Sequence, residues 1–551
     1  MTGFVFRRSA LTLTLLAALL TAAGTALVIL GTPVWVPLVL SVVLVAAQWA
    51  VSPYLVEWLV PAQEIPHTDE GGYATEHVVG ELVARRCEYA GVRPVRLGIV
   101  DDGTPNAFTF GHSRRNARIW VTRGLLERLD DRELDAVISH EVGHVRQNDI
   151  VVMAIASTVP LILYYGFLIL RDTRNQNTVV PAIVAYLGYL LSQLAVLGLS
   201  RARELGADHW SCQVTGDGDA LCSALVKIGY GMGQVDAERA AEAQELRREG
   251  NRQDKRELAK EQRRDRRIRA AGALGIADPR QGETAMVAVE QGLDAREVIG
   301  AMRWDAGNPW GRFNQFLSTH PLVVRRIAAL EASGLPGAPQ RWNAQDVAAS
   351  GAGPELSRAR RRFGLELLVR FAPFAALVVG LLAWRSSNNV LLAQAAVGLG
   401  VALLVRTAFA HWPGPVQPVD RVAALLRRMD ASSVRGLPVS VRGRVIGRGC
   451  PGYVLSPDLV IQDDSGFLPI RYTQPWPFAR SIFGLLHVTD LMDQEVLVRG
   501  WYRRAPGPVI ELRELVPAQG RHVRGFQWIA AYVLGTVVTL VGAVAWWVQL
   551  T

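Results

Sequence analysis

Seven apolar runs, each of about 20 residues, restrict the fold of this chain more than any other feature. They cover residues 9–31, 33–55, 150–170, 178–199, 367–384, 386–405 and 526–550. Their length predicts a predominantly α-helical, multi-span membrane protein. The composition agrees: half of the 551 residues are hydrophobic, and only a fifth are charged. Arg7 and Arg8 precede the first run. That run is too long for the core of a signal peptide, and a second follows at once, so it reads as an uncleaved anchor with a cytoplasmic N-terminus. Alternation then puts residues 60–149, 201–364 and 411–525 on the cytoplasmic side of the plasma membrane. The third and fourth runs also read as a buried or re-entrant hairpin. Trp528, Trp546 and Trp547 stand where interface anchors do. The net charge of +9 suits loops lying against anionic lipid and gives no reason to expect nucleic acid.

His140-Glu141-Val142-Gly143-His144 is the sharpest local signal. On a helix, residues four apart share a face, so both imidazoles point the same way as two ligands of a zinc site. The glutamate between them can polarise a bound water. Asp130 with Glu133 resembles a capping box, and Leu134, Val137, Ile138 and Val142 make an apolar stripe at helical spacing. The plainer reading is a pair of buried, hydrogen-bonded histidines. A catalytic zinc takes three protein ligands and leaves one position open. Glu204 is a candidate third ligand, with Asp208 one turn on and able to hold the second N–H of a ligand histidine. His209 competes for the same role, and a surface ion-pair cluster with Arg201 and Arg203 remains the structural alternative. The four cysteines, Cys87, Cys212, Cys222 and Cys450, form no Cys-x-x-Cys pair and read as reduced structural thiols.

Between the second and third runs, residues 76–90 read as a helix, and 95–100, 106–110 and 119–122 as strands. The run Ser200-Arg201-x-Arg203-Glu204-x-x-Ala207-Asp208 follows the fourth. Taken with the zinc pentad and the hairpin between them, the sequence resembles the HtpX-type integral-membrane zinc metallopeptidases, relatives of the CAAX prenyl endoproteases. Asn106-Ala107-Phe108 with Gly111 resembles that family's substrate-binding edge strand. Thr319-His320-Pro321, with Arg326-Ile327 after it, resembles its C-terminal motif. The resemblance covers residues 1 to about 332. It implies a zincin-like domain with a small sheet and one Zn2+ per chain, held by His140, His144 and Glu204. It implies Glu141 as general base and later proton donor, Asp208 behind the ligands, and Arg326 bracing the site. His320 would stabilise the oxyanion, and Asn106, Ala107 and Phe108 would hold the substrate.

The charged stretch 235–280 reads as solvated helix or disorder, and 333–364 as a linker. An extra membrane hairpin, 365–411, leads to a soluble module, 412–525, whose five alternating segments predict a small barrel of OB type before a last spanning helix at 526–551. The expected function is a membrane-embedded zinc endopeptidase acting on polypeptides. Misfolded or unassembled membrane proteins at the cytoplasmic face are the expected substrates. Specific processing of prenylated or signal-derived peptides is an alternative, as is a non-catalytic zinc-bearing scaffold. A transporter is disfavoured, since only Arg370 and Arg406 lie near span ends.

Overall fold

A computed structural model describes residues 35–228, 302–344 and 354–551, apart from 69–71, 76, 104, 173–177, 341, 343, 449–457, 477–478, 481, 484–487 and 505–506. The apolar run 9–31, the charged stretch 235–280 and Cys450 therefore lie outside the described residues. The chain divides into two compact units. Of the described residues, one unit takes those within 35–228 and 313–344, the other those within 302–312 and 354–551.

The first unit starts with helix α1 (Trp35–Leu59) and strand β1 (Gln63–Ile65). Helix α2 (Val78–Ala90) and strands β2 (Arg96–Val100), β3 (Ala107–Phe110) and β4 (Arg118–Thr122) follow. The strands form one sheet in the order β1-β2-β4-β3, with β2 and β4 parallel and β3 antiparallel at the edge. Strand β1 has only three residues, too few to alternate visibly, and sequence reasoning missed it. After the short helix α3 (Arg123–Arg128) comes α4 (Asp131–Arg146), which carries the pentad. Its capping box forms as expected between Asp130 and Glu133. The apolar stripe Leu134, Val137, Ile138 and Val142 is fully buried. Helices α5 (Asp149–Asp172) and α6 (Val179–Thr215) make the membrane hairpin. Helix α6 runs unbroken through 37 residues, so the segment bearing Glu204 is a direct extension of an apolar helix. Helix α7 (Val323–Glu331) packs on α6.

In the second unit α8 (Pro354–Arg385) and α9 (Asn389–Ala410) form a hairpin. The expected linker, 333–364, thus gives way at Pro354 to a helix continuous with the membrane segment. Helix α11 (Gln527–Leu550) packs closely along α9. Gly400 allows the approach, because a Cβ there would stand 2.4 Å from the backbone nitrogen of Thr539. The small helix α10 is Val422–Leu426. The barrel strands are β6 (Leu437–Arg448), β7 (Leu459–Asp463), β8 (Gly466–Arg471), β9 (Glu495–Arg504) and β10 (Pro508–Pro517), with β5 (Gln417–Val419) and β11 (Val523–Arg524) added at its margins. Strand β6 pairs with both β7 and β9, β9 with β10, and β10 runs parallel to β8, which closes a five-stranded barrel.

Among the described residues, five helices are long and apolar enough to cross a bilayer: Asp149–Leu168, Val179–Thr215, Pro354–Arg385, Asn389–Ala410 and Gln527–Leu550. They account for five of the seven expected runs. The run 33–55 lies mostly within α1.

Candidate metal centre

The pentad helix α4 presents His140 and His144 on one face, as the spacing of four requires. Their Nε2 atoms lie 3.1 Å apart. Helix α6 crosses α4 and brings Glu204 to the same point. One carboxylate oxygen is 3.6 Å from His140 Nε2, and the other is 3.6 Å from His144 Nε2. Two glycines let the helices meet: a Cβ at Gly143 would stand 2.7 Å from the Trp210 ring, and one at Gly206 would stand 2.7 Å from the Gln147 amide oxygen. The Ser211 hydroxyl donates to the Ala136 carbonyl at 2.6 Å and fixes the crossing.

Both imidazoles are held from behind. His140 Nδ1 is 3.0 Å from Asp208 Oδ1, and His144 Nδ1 is 2.7 Å from Asp149 Oδ2. A carboxylate only accepts, so each Nδ1 carries the proton and each Nε2 turns its lone pair to the shared point. Arg326, from α7, donates to Asp208 through Nε at 2.8 Å and Nη2 at 2.5 Å, and its Nη1 lies 3.7 Å from Glu204. Burial alone would push the His140 imidazole down, but the hydrogen bonds it donates to the Asp208 and Glu204 carboxylates outweigh it and raise it to about 9. Burial, then the charge of His140, push His144 down. The carboxylates thus favour positive charge at the point where the ring nitrogens converge.

These residues fit a zinc ion. His140, His144 and Glu204 each offer one ligand atom, all within 4.8 Å of one another. Glu204 is buried, and its Oε2 is shared by cationic or donor groups on every side: His320 Nδ1 at 3.2 Å, His140 Nε2 at 3.6 Å and Arg326 Nη1 at 3.7 Å. The donor set is two imidazoles and a carboxylate, and no further His, Cys, Asp or Glu joins it among the described residues. His209 takes no part: its Nδ1 turns back to the Leu205 carbonyl at 3.0 Å.

The other expected site residues divide. Thr109 Oγ1, on the edge strand β3, donates to Glu141 Oε2 at 2.6 Å, so the strand and the glutamate touch. His320 lies beside the cluster, with Nδ1 3.2 Å from Glu204 Oε2. Asn106 binds Thr122 through its backbone, N to Oγ1 at 2.8 Å and O from the Thr122 amide at 3.0 Å. Ala107 is buried, and the Phe108 ring packs inside the sheet core with Val60, Val100, Phe110 and Trp120. Neither of these two side chains is open to a ligand. Sequence reasoning missed Thr109, Asp149 and Arg203's bond to the Gln147 carbonyl at 2.6 Å. Asp149 stands five residues after His144, outside helical register, so spacing gave no hint of it.

A model of peptidase family M48 matches residues 75–333. A protease HtpX homolog of Methanothermobacter thermautotrophicus is 37% identical over 181 residues, which are 33% of this chain and 68% of that protein. The chain belongs to peptidase family M48. Another protease HtpX homolog, from Moorella thermoacetica, is 33% identical to this M48 chain over 210 residues, 36% of this chain and 68% of the relative. The crystal structure of S. mikatae Ste24p is similar at 16% identity over 40% of this chain and 57% of that chain, with a TM-score of 0.27, a likeness too slight to fix the fold. The M48 peptidase is thus an HtpX-like, multi-pass membrane metallopeptidase. The family match stops at residue 333, and the second hairpin and the barrel lie beyond it.

Proposed function

We propose that the chain is a zinc-dependent endopeptidase with a zincin-type catalytic domain, and that His140, His144 and Glu204 hold one zinc ion. The convergence of two Nδ1-anchored imidazoles on the buried Glu204 carboxylate carries this reading. Zinc, when bound, lowers the pKa of a water towards about 7 and polarises a carbonyl. Glu141 takes the proton of the attacking water and returns it to the leaving amine. Its bond to Thr109 sets it beside the edge strand. An extended peptide adds to the free edge of β3, where backbone pairing gives affinity with little sequence demand. Asn106, Ala107 and Phe108 supply that backbone edge. His320 stabilises the developing oxyanion. Asp208 and Arg326 keep His140 in place.

The substrates fitting this site are polypeptides of the membrane, misfolded or unassembled, cut at the cytoplasmic face. The charge bias of the soluble segments supports that side, and Glu204 lies only five residues beyond the apolar run ending at Leu199. A non-catalytic zinc scaffold would call for four protein ligands, and the described cluster has three. The barrel, with β6 shared between two neighbours and β8 parallel to β10, supports an OB-type adaptor module.

The deciding experiment is zinc content and casein cleavage of the detergent-purified protein, beside Glu204→Ala and Glu141→Gln. Wild type is expected to hold one zinc and cleave, Glu204→Ala to lose metal, and Glu141→Gln to keep metal while losing about 10²–10⁴-fold in rate. Cleavage by Glu141→Gln at the wild-type rate would remove the base from the scheme. Absence of zinc from wild type would remove the reading itself.

A further inference from the structure

The two candidate ligand histidines are backed by matching pairs of groups, and in the second pair Asp149 lies outside the M48-like motifs. Behind His140 stand Asp208 and then Arg326. Behind His144 stand Asp149 and then Arg203, which is ion-paired with Asp149 Oδ1. Asp149 is buried, with 6% of its surface exposed, and Arg203 is secured in turn by the Gln147 carbonyl. On a continuous helix, Asp149 would lie roughly 140° around from His144 and out of reach. The chain gets it there by breaking α4. Asn148 takes a left-handed conformation, φ 57°, and α5 starts anew at Asp149. Asp149 is therefore the first residue of the first hairpin helix, and Arg203 sits on the second.

We propose that Asp149 is a positioning residue for His144 and that Arg203 holds Asp149 in place, so that the mouth of the membrane hairpin forms part of the support of the metal site. This inference rests on the zinc reading above. Asp149 orients the ring and keeps the proton on Nδ1, which leaves Nε2 free to ligate. Arg203 fixes both the carboxylate and the carbonyl of the residue two before it. Any shift of α5 against α6 is then felt at His144. An acidic residue in a first helical turn also stabilises that helix through its dipole, and this is the structural role to be separated. Asparagine keeps an acceptor at the helix start but loses the negative charge that makes the imidazole a more basic ligand.

The test uses the full-length protein in detergent: zinc affinity by competition with a chromogenic chelator, the visible spectrum of the Co2+-substituted form, and thermal unfolding of the metal-free form. The variants are Asp149→Asn, Asp149→Ala and Arg203→Met. Zinc affinity is expected to fall about 10–100-fold in both Asp149 variants and by less in Arg203→Met. The Co2+ bands should shift, while the metal-free melting temperature of Asp149→Asn stays near wild type. If Asp149→Ala does not fold, Asp149→Asn and Arg203→Met carry the test. Wild-type zinc affinity with an unchanged Co2+ spectrum in Asp149→Asn and Arg203→Met overturns the inference and leaves the zinc reading intact. A wild-type protein that binds no zinc overturns both.

Discussion

At the scale of single residues, the site depends on side chains that never touch metal. Thr109 donates to the carboxylate of Glu141 from the edge strand β3, the strand proposed to receive the peptide. A hydrogen bond to a charged group contributes about 1.5–3 kcal/mol, so Thr109→Val is expected to lower kcat by about one to two orders of magnitude while zinc content stays at one per chain. Thr109→Ser keeps the hydroxyl and is expected to recover most of the rate. Steady-state kinetics beside metal analysis reads both. Arg326 is buried and pairs with buried Asp208. Removing it strands a carboxylate, so Arg326→Ala should cost about 3–5 kcal/mol in unfolding measurements, far more than a surface ion pair would. Asp208, Arg326, His320 and the ligand candidate Glu204 stood out in the sequence through the motifs that carry the family resemblance. Thr109 and Asp149 did not, since each meets its partner across a turn or a sheet edge.

At the scale of elements, the site is a crossing of α4 and α6, and its closeness is set by glycine. Gly143 lies inside the pentad, and a side chain there would run into Trp210 and approach the backbone of Ala207. Gly143→Val is expected to push α6 outward, cost about 1–3 kcal/mol of stability, and weaken zinc binding more than Gly143→Ala, because Glu204 rides on the displaced helix. Zinc titration of both variants checks this. Helix α4 could be read residue by residue, since its capping box and apolar stripe are local. The crossing could not, because it depends on which face of α6 a glycine opens. In the second unit Gly400 plays the same part between α9 and α11, and Gly400→Leu should disorder that pair through contact with Thr539.

At the scale of the whole molecule, two units with separate cores should melt separately. The proposed zinc site lies in the first. Stripping the zinc should lower that unit's transition, by about 4 kcal/mol where free zinc had exceeded its Kd about 1,000-fold, and leave the barrel's transition in place. Calorimetry with and without chelator measures this, and a barrel transition that moved equally would count against it. Cys87, Cys212 and Cys222 are buried free thiols, and burial pushes the Cys222 thiol well up. Labelling with a maleimide should spare all three until the protein unfolds.

The sequence by itself determined five of the seven expected membrane helices, the pentad helix with its cap, the three longer strands of the first sheet and the alternation of the barrel. Each follows from residues near one another along the chain, where hydrophobic period, capping and strand pattern act. Only the tertiary structure decided between Glu204 and His209 as partner of the histidines, because both sit on the same helix and only the direction of approach separates them. It also closed the barrel through the pairing of β8 with β10, and it turned Asp149 back onto His144 through one left-handed residue. These depend on contacts between segments far apart, or on a single backbone reversal, and a one-dimensional pattern carries neither.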